Sequence, residues 1–208
     1  MNIFTLSFNQ RTAAQAHCDK HVVKMILEYG LLLSTAHRLI DGTLSTFEKP
    51  NGKLQKLYLL KGETVSFNIE KAKFIIDNPV CYGVTHFNHP CAVWARESSA
   101  NYMWLSMLFM ELSQEYTHRY TRTHKTQATI GHFLSGLPHK IKMADLTPHP
   151  QVMPDEFKDE DPVRAYQNYY LGPKAAFARW TNRSTPIWFQ QRFKDYNASN
   201  FERTTTVA

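Results

Sequence analysis

Two long stretches in which apolar side chains return every three or four residues constrain this chain more than any other feature. Between Arg11 and Leu39, Ala14, Cys18, Val22, Met25, Tyr29, Leu32 and Ala36 form one apolar stripe. Between Cys91 and Tyr120, Tyr102, Leu105, Phe109, Leu112 and Tyr116 form a second, with Ser98 or Ser99 as a cap or break near its start. A period near 3.6 demands helices that bury one face against each other. The expected fold class is mainly α: one compact single-domain helical fold over residues 1–196, followed by a polar tail at 197–208.

Residues 41–78 change character. Gly42, Pro50, Gly52 and Gly62 punctuate them, and Thr64-Val65-Ser66-Phe67-Asn68-Ile69 alternates like a strand, so the stretch reads as an insertion carrying a small β-hairpin. Residues 2–6 read as a short buried strand or an extended lead-in. Thr126–Leu137 reads as a shorter helix. Five prolines make 138–162 a long ordered loop, and Asp161-Pro162 starts a helix, with a cap residue followed by proline. Further helices are expected over 162–171, 173–181 and 186–195.

A 208-residue chain buries roughly 70% of the surface its unfolded form exposes and needs no disulfide or metal to fold. Cys18, Cys81 and Cys91 have no framework spacing and read as free thiols. No run approaches the ~18 apolar residues of a membrane span, and Met1-Asn2-Ile3-Phe4-Thr5-Leu6 lacks the basic start of a secretory signal. The expectation is a cytoplasmic monomer without a membrane partner.

Charge is unevenly spread. The chain holds 24 Lys and Arg against 18 carboxylates. From Thr117 to Ala144 there is no Asp or Glu, but there are Arg119, Arg122, Lys125, Lys140 and Lys142. From Pro162 to Lys194 carboxylates are again absent, while Arg164, Lys174, Arg179, Arg183, Arg192 and Lys194 alternate with aromatic rings. Cations hold phosphates and rings stack on bases, so DNA is the expected partner. A merely solvated cationic surface would have the same composition.

Three clusters could carry chemistry. The first is His17-Cys18-Asp19-Lys20-His21 with Lys24 and Glu28, where helical spacing sets His17, His21, Lys24 and Glu28 along one stripe. An imidazole, an amine and a carboxylate suit general acid–base or amine-nucleophile chemistry, and also a plain surface ion-pair network. The second is the loop Thr85-His86-Phe87-Asn88-His89-Pro90-Cys91, stiffened by its proline. The third runs from Glu115 through His118, Arg119 and Arg122 to Lys125, where cations suit either a helix C-terminus or bound phosphates.

The stretch His17-Cys18-Asp19-Lys20-His21-Val22-Val23-Lys24-Met25-Ile26-Leu27-Glu28 resembles the opening of a family of mostly uncharacterised bacteriophage proteins. The likeness continues through Asn88-His89-Pro90, Glu115-Tyr116-Thr117-His118-Arg119-Tyr120, Met153-Pro154-Asp155, Tyr169-Tyr170 and Arg183-Ser184-Thr185-Pro186-Ile187-Trp188. More distantly, the chain is similar to pyrimidine-dimer DNA glycosylases of the endonuclease V type. The short apolar start, the polar first helix, the Asn-His-Pro turn before a long helix and the Glu…Arg-Tyr at its end carry that likeness. It implies a compact helical enzyme without metal or cofactor. In it an amine attacks the sugar carbon, a first-helix carboxylate assists, and the resulting imine permits strand cleavage. The amine would be that of Met1, which Asn2 leaves in place, or Lys20; the carboxylate would be Asp19 or Glu28. His21 would assist either one. Lys24, His86, Asn88, His89, Arg96, Glu115, His118, Arg119, Arg122, Lys125 and Arg183 would hold the substrate.

Two other classes remain open at this level. A metal-dependent hydrolase of nucleotides or nucleic acid would use His17, His21, Asp19 and loop histidines. A non-catalytic phage protein binding a host factor would use the first-helix cluster only as an ion-pair network.

Overall fold

The computed structural model describes residues 2–193. The expected mainly helical fold is present. The first apolar run forms two helices, α1 (Gln10–Ala16) and α2 (Asp19–Asp41), and the second forms α3 (Pro90–Glu97) and α4 (Ser99–Tyr120). The long helices α2 and α4 pack together; α1 lies on α4, α3 on both, and α5 (Lys125–Leu134) on α2. Their apolar faces make one core through Val22, Ile26, Tyr29, Leu33, Leu105, Phe109 and Leu112. Among the described residues no helix is long and apolar enough to cross a membrane.

Local chemistry explains most boundaries. Asn9 caps α1 by accepting from the Thr12 amide, and Ser98 breaks α3 from α4 with its hydroxyl on the Asn101 amide. Thr121 ends α4 in the left-handed conformation. Asp161 caps α6 (Pro162–Tyr169), with proline in the first turn as expected. Residues 3–6 are an extended lead-in, every one buried, and no strand pairs with them. The 138–162 loop is ordered against the start of α4: the Ser99 amide donates to Lys142 O at 2.9 Å and the Thr147 amide to Asn101 Oδ1 at 2.9 Å.

Two expectations need correction, and the expected hairpin insertion is present. The run 11–39 is not one helix, because Cys18 is extended and the Asp19 amide donates to Arg179 O at 2.8 Å. The expected helix 173–181 is instead a wide turn, Tyr170–Lys174, holding Gly172 and Pro173, and a tight turn, Ala175–Phe177. The insertion holds two antiparallel hairpins, β1 (Thr43–Glu48) with β2 (Leu54–Leu59) and β3 (Thr64–Asn68) with β4 (Lys73–Asp77). Residues 187–193 are helical, and the expected tail at 197–208 lies outside the described residues.

Candidate functional site

Asp19, at the start of α2, is fully engaged. One carboxylate oxygen accepts from Arg119 Nη1 at 2.8 Å, and the pair also accepts the Thr181 amide at 3.0 Å and its hydroxyl at 2.8 Å. Arg119 donates further to Glu115 at 2.7 Å and to Gln15 O at 3.0 Å, and Arg183 closes the chain with a fork onto Glu115 at 2.8–3.1 Å. Burial alone would push the Glu115 carboxyl up, but hydrogen bonds from Arg183 and Arg119 outweigh it and hold the group low. This alternation of charges ties α2 and α4 to residues 179–183. It corrects the expected role of Arg119 as a phosphate contact, because the guanidinium is wholly buried and faces carboxylates. Arg183 keeps an exposed edge, and with Glu115, His118 and Arg11 it lines a polar cleft of about 240 Å³ between α1 and α4.

His17 and His21 point inward. His17 closes α1, donates Nδ1–H to Ala13 O at 2.7 Å, and accepts at Nε2 from the Tyr29 hydroxyl at 3.0 Å; that hydroxyl oxygen accepts the Phe4 amide at 3.1 Å. His21 stacks on Phe4 at 4.3 Å and is hydrogen-bonded to the Tyr170 hydroxyl. Desolvation lowers His17 to about 4; desolvation, then the charges of His17, Lys174 and Lys24, lowers His21 to about 3. Both rings are neutral at pH 7. The expected stripe is therefore divided: its histidines are core and its Lys24 is exposed. Among the described residues no three His, Cys, Asp or Glu side chains converge as metal ligands would, so the set His17, His21 and Asp19 with loop histidines is not assembled.

Glu28 has different surroundings. It pairs with Lys24 at 3.1 Å, its side chain 13% exposed against 70% for the lysine. Its charge acts on both His89 and Cys91, opposing the burial that lowers the imidazole and helping the burial that raises the thiol to about 11. His89 caps α3 by accepting the Cys91 amide at 3.2 Å, and its ring lies 6.2 Å from that of His86, which sits at φ +51°. The Ile3 amide acts on the Cys91 thiol in the opposite sense, lowering it against the burial that raises it. Phe87 and Asn88 are exposed in this turn, and Arg96 stacks its guanidinium over Phe87 at 5.2 Å with Nη1 buried and without a partner.

Two lysines stand over aromatic rings. Lys20 lies over Phe177 at 4.8 Å and Lys174 over Tyr169 at 4.5 Å. Arg122 and Lys125 are exposed at the α4–α5 corner, and His118, also exposed, meets Asn182 O at 3.1 Å. Met1 lies outside the described residues. Sequence reasoning gave no role to Phe4, Tyr170 and Thr181, the partners of His21 and Asp19; the aromatic density of the last third hinted only at Tyr170. It also gave no individual weight to Lys174, Tyr169 or Phe177.

Comparison with protein-family models, with curated proteins and with solved structures finds no match for this chain.

Proposed function

We propose that the chain is a DNA repair glycosylase with abasic-site lyase activity, of the pyrimidine-dimer type, with Glu28 as its working carboxylate. One observation carries the reading. His89 caps α3, which packs on α2, and the Glu28 charge acts on His89 and Cys91, whereas Asp19 is committed to Arg119 and Thr181. The attacking amine in this reading is that of Met1. Lys20, exposed on α2, is the alternative amine.

In this reading the unprotonated amine forms a bond to C1′ as the C1′–N bond to the base breaks. The base leaves with the electron pair and takes up a proton. The amine loses its proton as the sugar ring opens, giving the imine, and β-elimination then breaks the C3′–O bond. Glu28 stabilises the cationic sugar and relays protons, and His89, on which the Glu28 charge acts, serves the same traffic. His21 has a different place from the one expected of it. Neutral and packed on Phe4, it positions the α2 surface and does not exchange protons with substrate. Lys20, Lys24, Arg96, Arg122, Lys125 and Lys174 are the cations available to the backbone, and the exposed Phe87 is available for stacking.

Borohydride reduction in the presence of a dimer-containing or abasic duplex tests the reading. A covalent protein–DNA adduct is expected, and Glu28→Gln should lower its rate about 10²- to 10⁴-fold, the usual range for a proton-transfer group. No adduct, with cleavage unchanged after the Met1 amine is blocked and Lys20 replaced by Met, would remove it.

A further inference from the structure

We infer that the two-hairpin arm, residues 43–77, is a rigid clamp for the DNA backbone, a contact surface separate from the Glu28 site. It rests on the DNA reading above only for the identity of the polyanion.

The arm adds almost nothing to the core, since Leu60 is its one buried apolar residue. It is nevertheless fixed to the helical body by an unusually complete anchor. Arg38, wholly buried near the end of α2, spends all five donors there: two on Glu63 at 2.8 and 3.0 Å, and the others on the carbonyls of Tyr58, Cys81 and Tyr82. The hairpins are locked to each other as well. Gln55 on β2 donates to Phe74 O at 2.7 Å and accepts the Phe74 amide at 2.9 Å, and the Phe74 ring lies 5.0 Å from both Phe47 and Phe67. A buried ion pair costs desolvation that its own attraction scarcely offsets, so its gain is a defined orientation. A defined orientation matters for an element whose task depends on where it points.

Its chemistry says what it points at. Lys49 and Lys53 flank the β1–β2 turn, Lys71 lies in the β3–β4 turn with Lys73 at its exit, and Lys56 and Lys61 lie between. Among the described residues none of the six has a carboxylate within 4.0 Å. The acids are otherwise used: Glu63 holds Arg38, and Asp77 accepts from Ser66 at 2.7 Å and Thr64 at 3.3 Å. Only Glu48 and Glu70 remain to oppose the lysines. Between the second lysine pair and β3 stands Ile69, 85% exposed on a turn stiffened by Asn68 Oδ1 accepting the Lys71 amide at 2.8 Å. A stiff tip with cations beside one apolar side chain suits a nucleic-acid groove, with lysines on phosphates and the aliphatic group against sugars or a base step.

The test uses the full chain and a duplex carrying a tetrahydrofuran abasic analogue, with Kd measured against salt. Lys49→Gln with Lys53→Gln, and separately Lys71→Gln with Lys73→Gln, should each flatten the log–log salt dependence by about 0.9 for every phosphate no longer neutralised. Lys140→Gln with Lys142→Gln removes the same charge elsewhere and should leave the slope within error of the parent. Ile69→Ser should weaken binding about tenfold with the slope unchanged. Equal slopes for the arm and control variants, or no duplex binding by the parent chain, would overturn the clamp. An arm-dependent slope in a chain that forms no borohydride adduct would keep the clamp and remove the glycosylase.

Discussion

Asp19 and Glu28 share a helix and a charge, yet their neighbours give them opposite uses. Asp19 meets a buried guanidinium, a backbone amide and a hydroxyl, which leaves its oxygens no capacity for substrate. Glu28 has one flexible lysine partner and an imidazole nearby. Removing one member of a buried pair strands the others, so Arg119→Met should cost roughly 3–5 kcal/mol, read as a lower denaturant midpoint. The buried histidines make a second residue-scale prediction. His17, His37 and His149 are lowered by burial to about 4, and His21 to about 3. Their folded values lie below the unfolded one near 6.5, so below that pH the unfolded chain binds protons that the folded chain refuses. Stability is therefore held at neutral pH and lost as pH falls from about 6.5 toward 4, at about 1.4 kcal/mol per histidine for each unit crossed. Thermal melts between pH 7 and 4 should show Tm falling steadily; a flat profile would contradict the neutral, buried rings.

At the scale of elements, the breaks show which information was local. Ser98 was readable as a helix boundary because serine satisfies an orphan amide with its own hydroxyl. The break at His17–Cys18 was not, because its compensation is supplied from Arg179, far along the chain. The break near Gly172 was legible, with helices expected to either side of it, but the helix expected over 173–181 was not formed: Gly172 and Pro173 deny it the needed backbone geometry and donor. Where α2 meets α5 the approach is close enough to be testable. A Cβ on Gly30 would meet the Thr126 methyl at 2.7 Å. Gly30→Ala should destabilise by about 1–3 kcal/mol through overpacking, despite alanine's better helix propensity, as equilibrium unfolding would reveal. A gain in stability would mean that the interface gives way.

For the molecule as a whole, periodicity and punctuation made the helical class and the inserted strands legible, since both follow from residues near in sequence. The candidate site was half legible. Its residue types stood in the motifs, but inward or outward orientation depended on partners such as Tyr29, Tyr170 and Thr181. Those partners arrive from distant segments. Thr5 meets His149, Leu6 O accepts from Gln167, and Trp180 donates to Ala16 O at 3.0 Å. Ile3 to Leu6 are buried in part against chain made much later, so their burial is not complete until that chain has emerged. Its partners on α2 are made early, but His149, Tyr166 and Tyr170, which complete its burial, come only later in the chain. For a nascent chain, that interval is when a holding chaperone has most to offer.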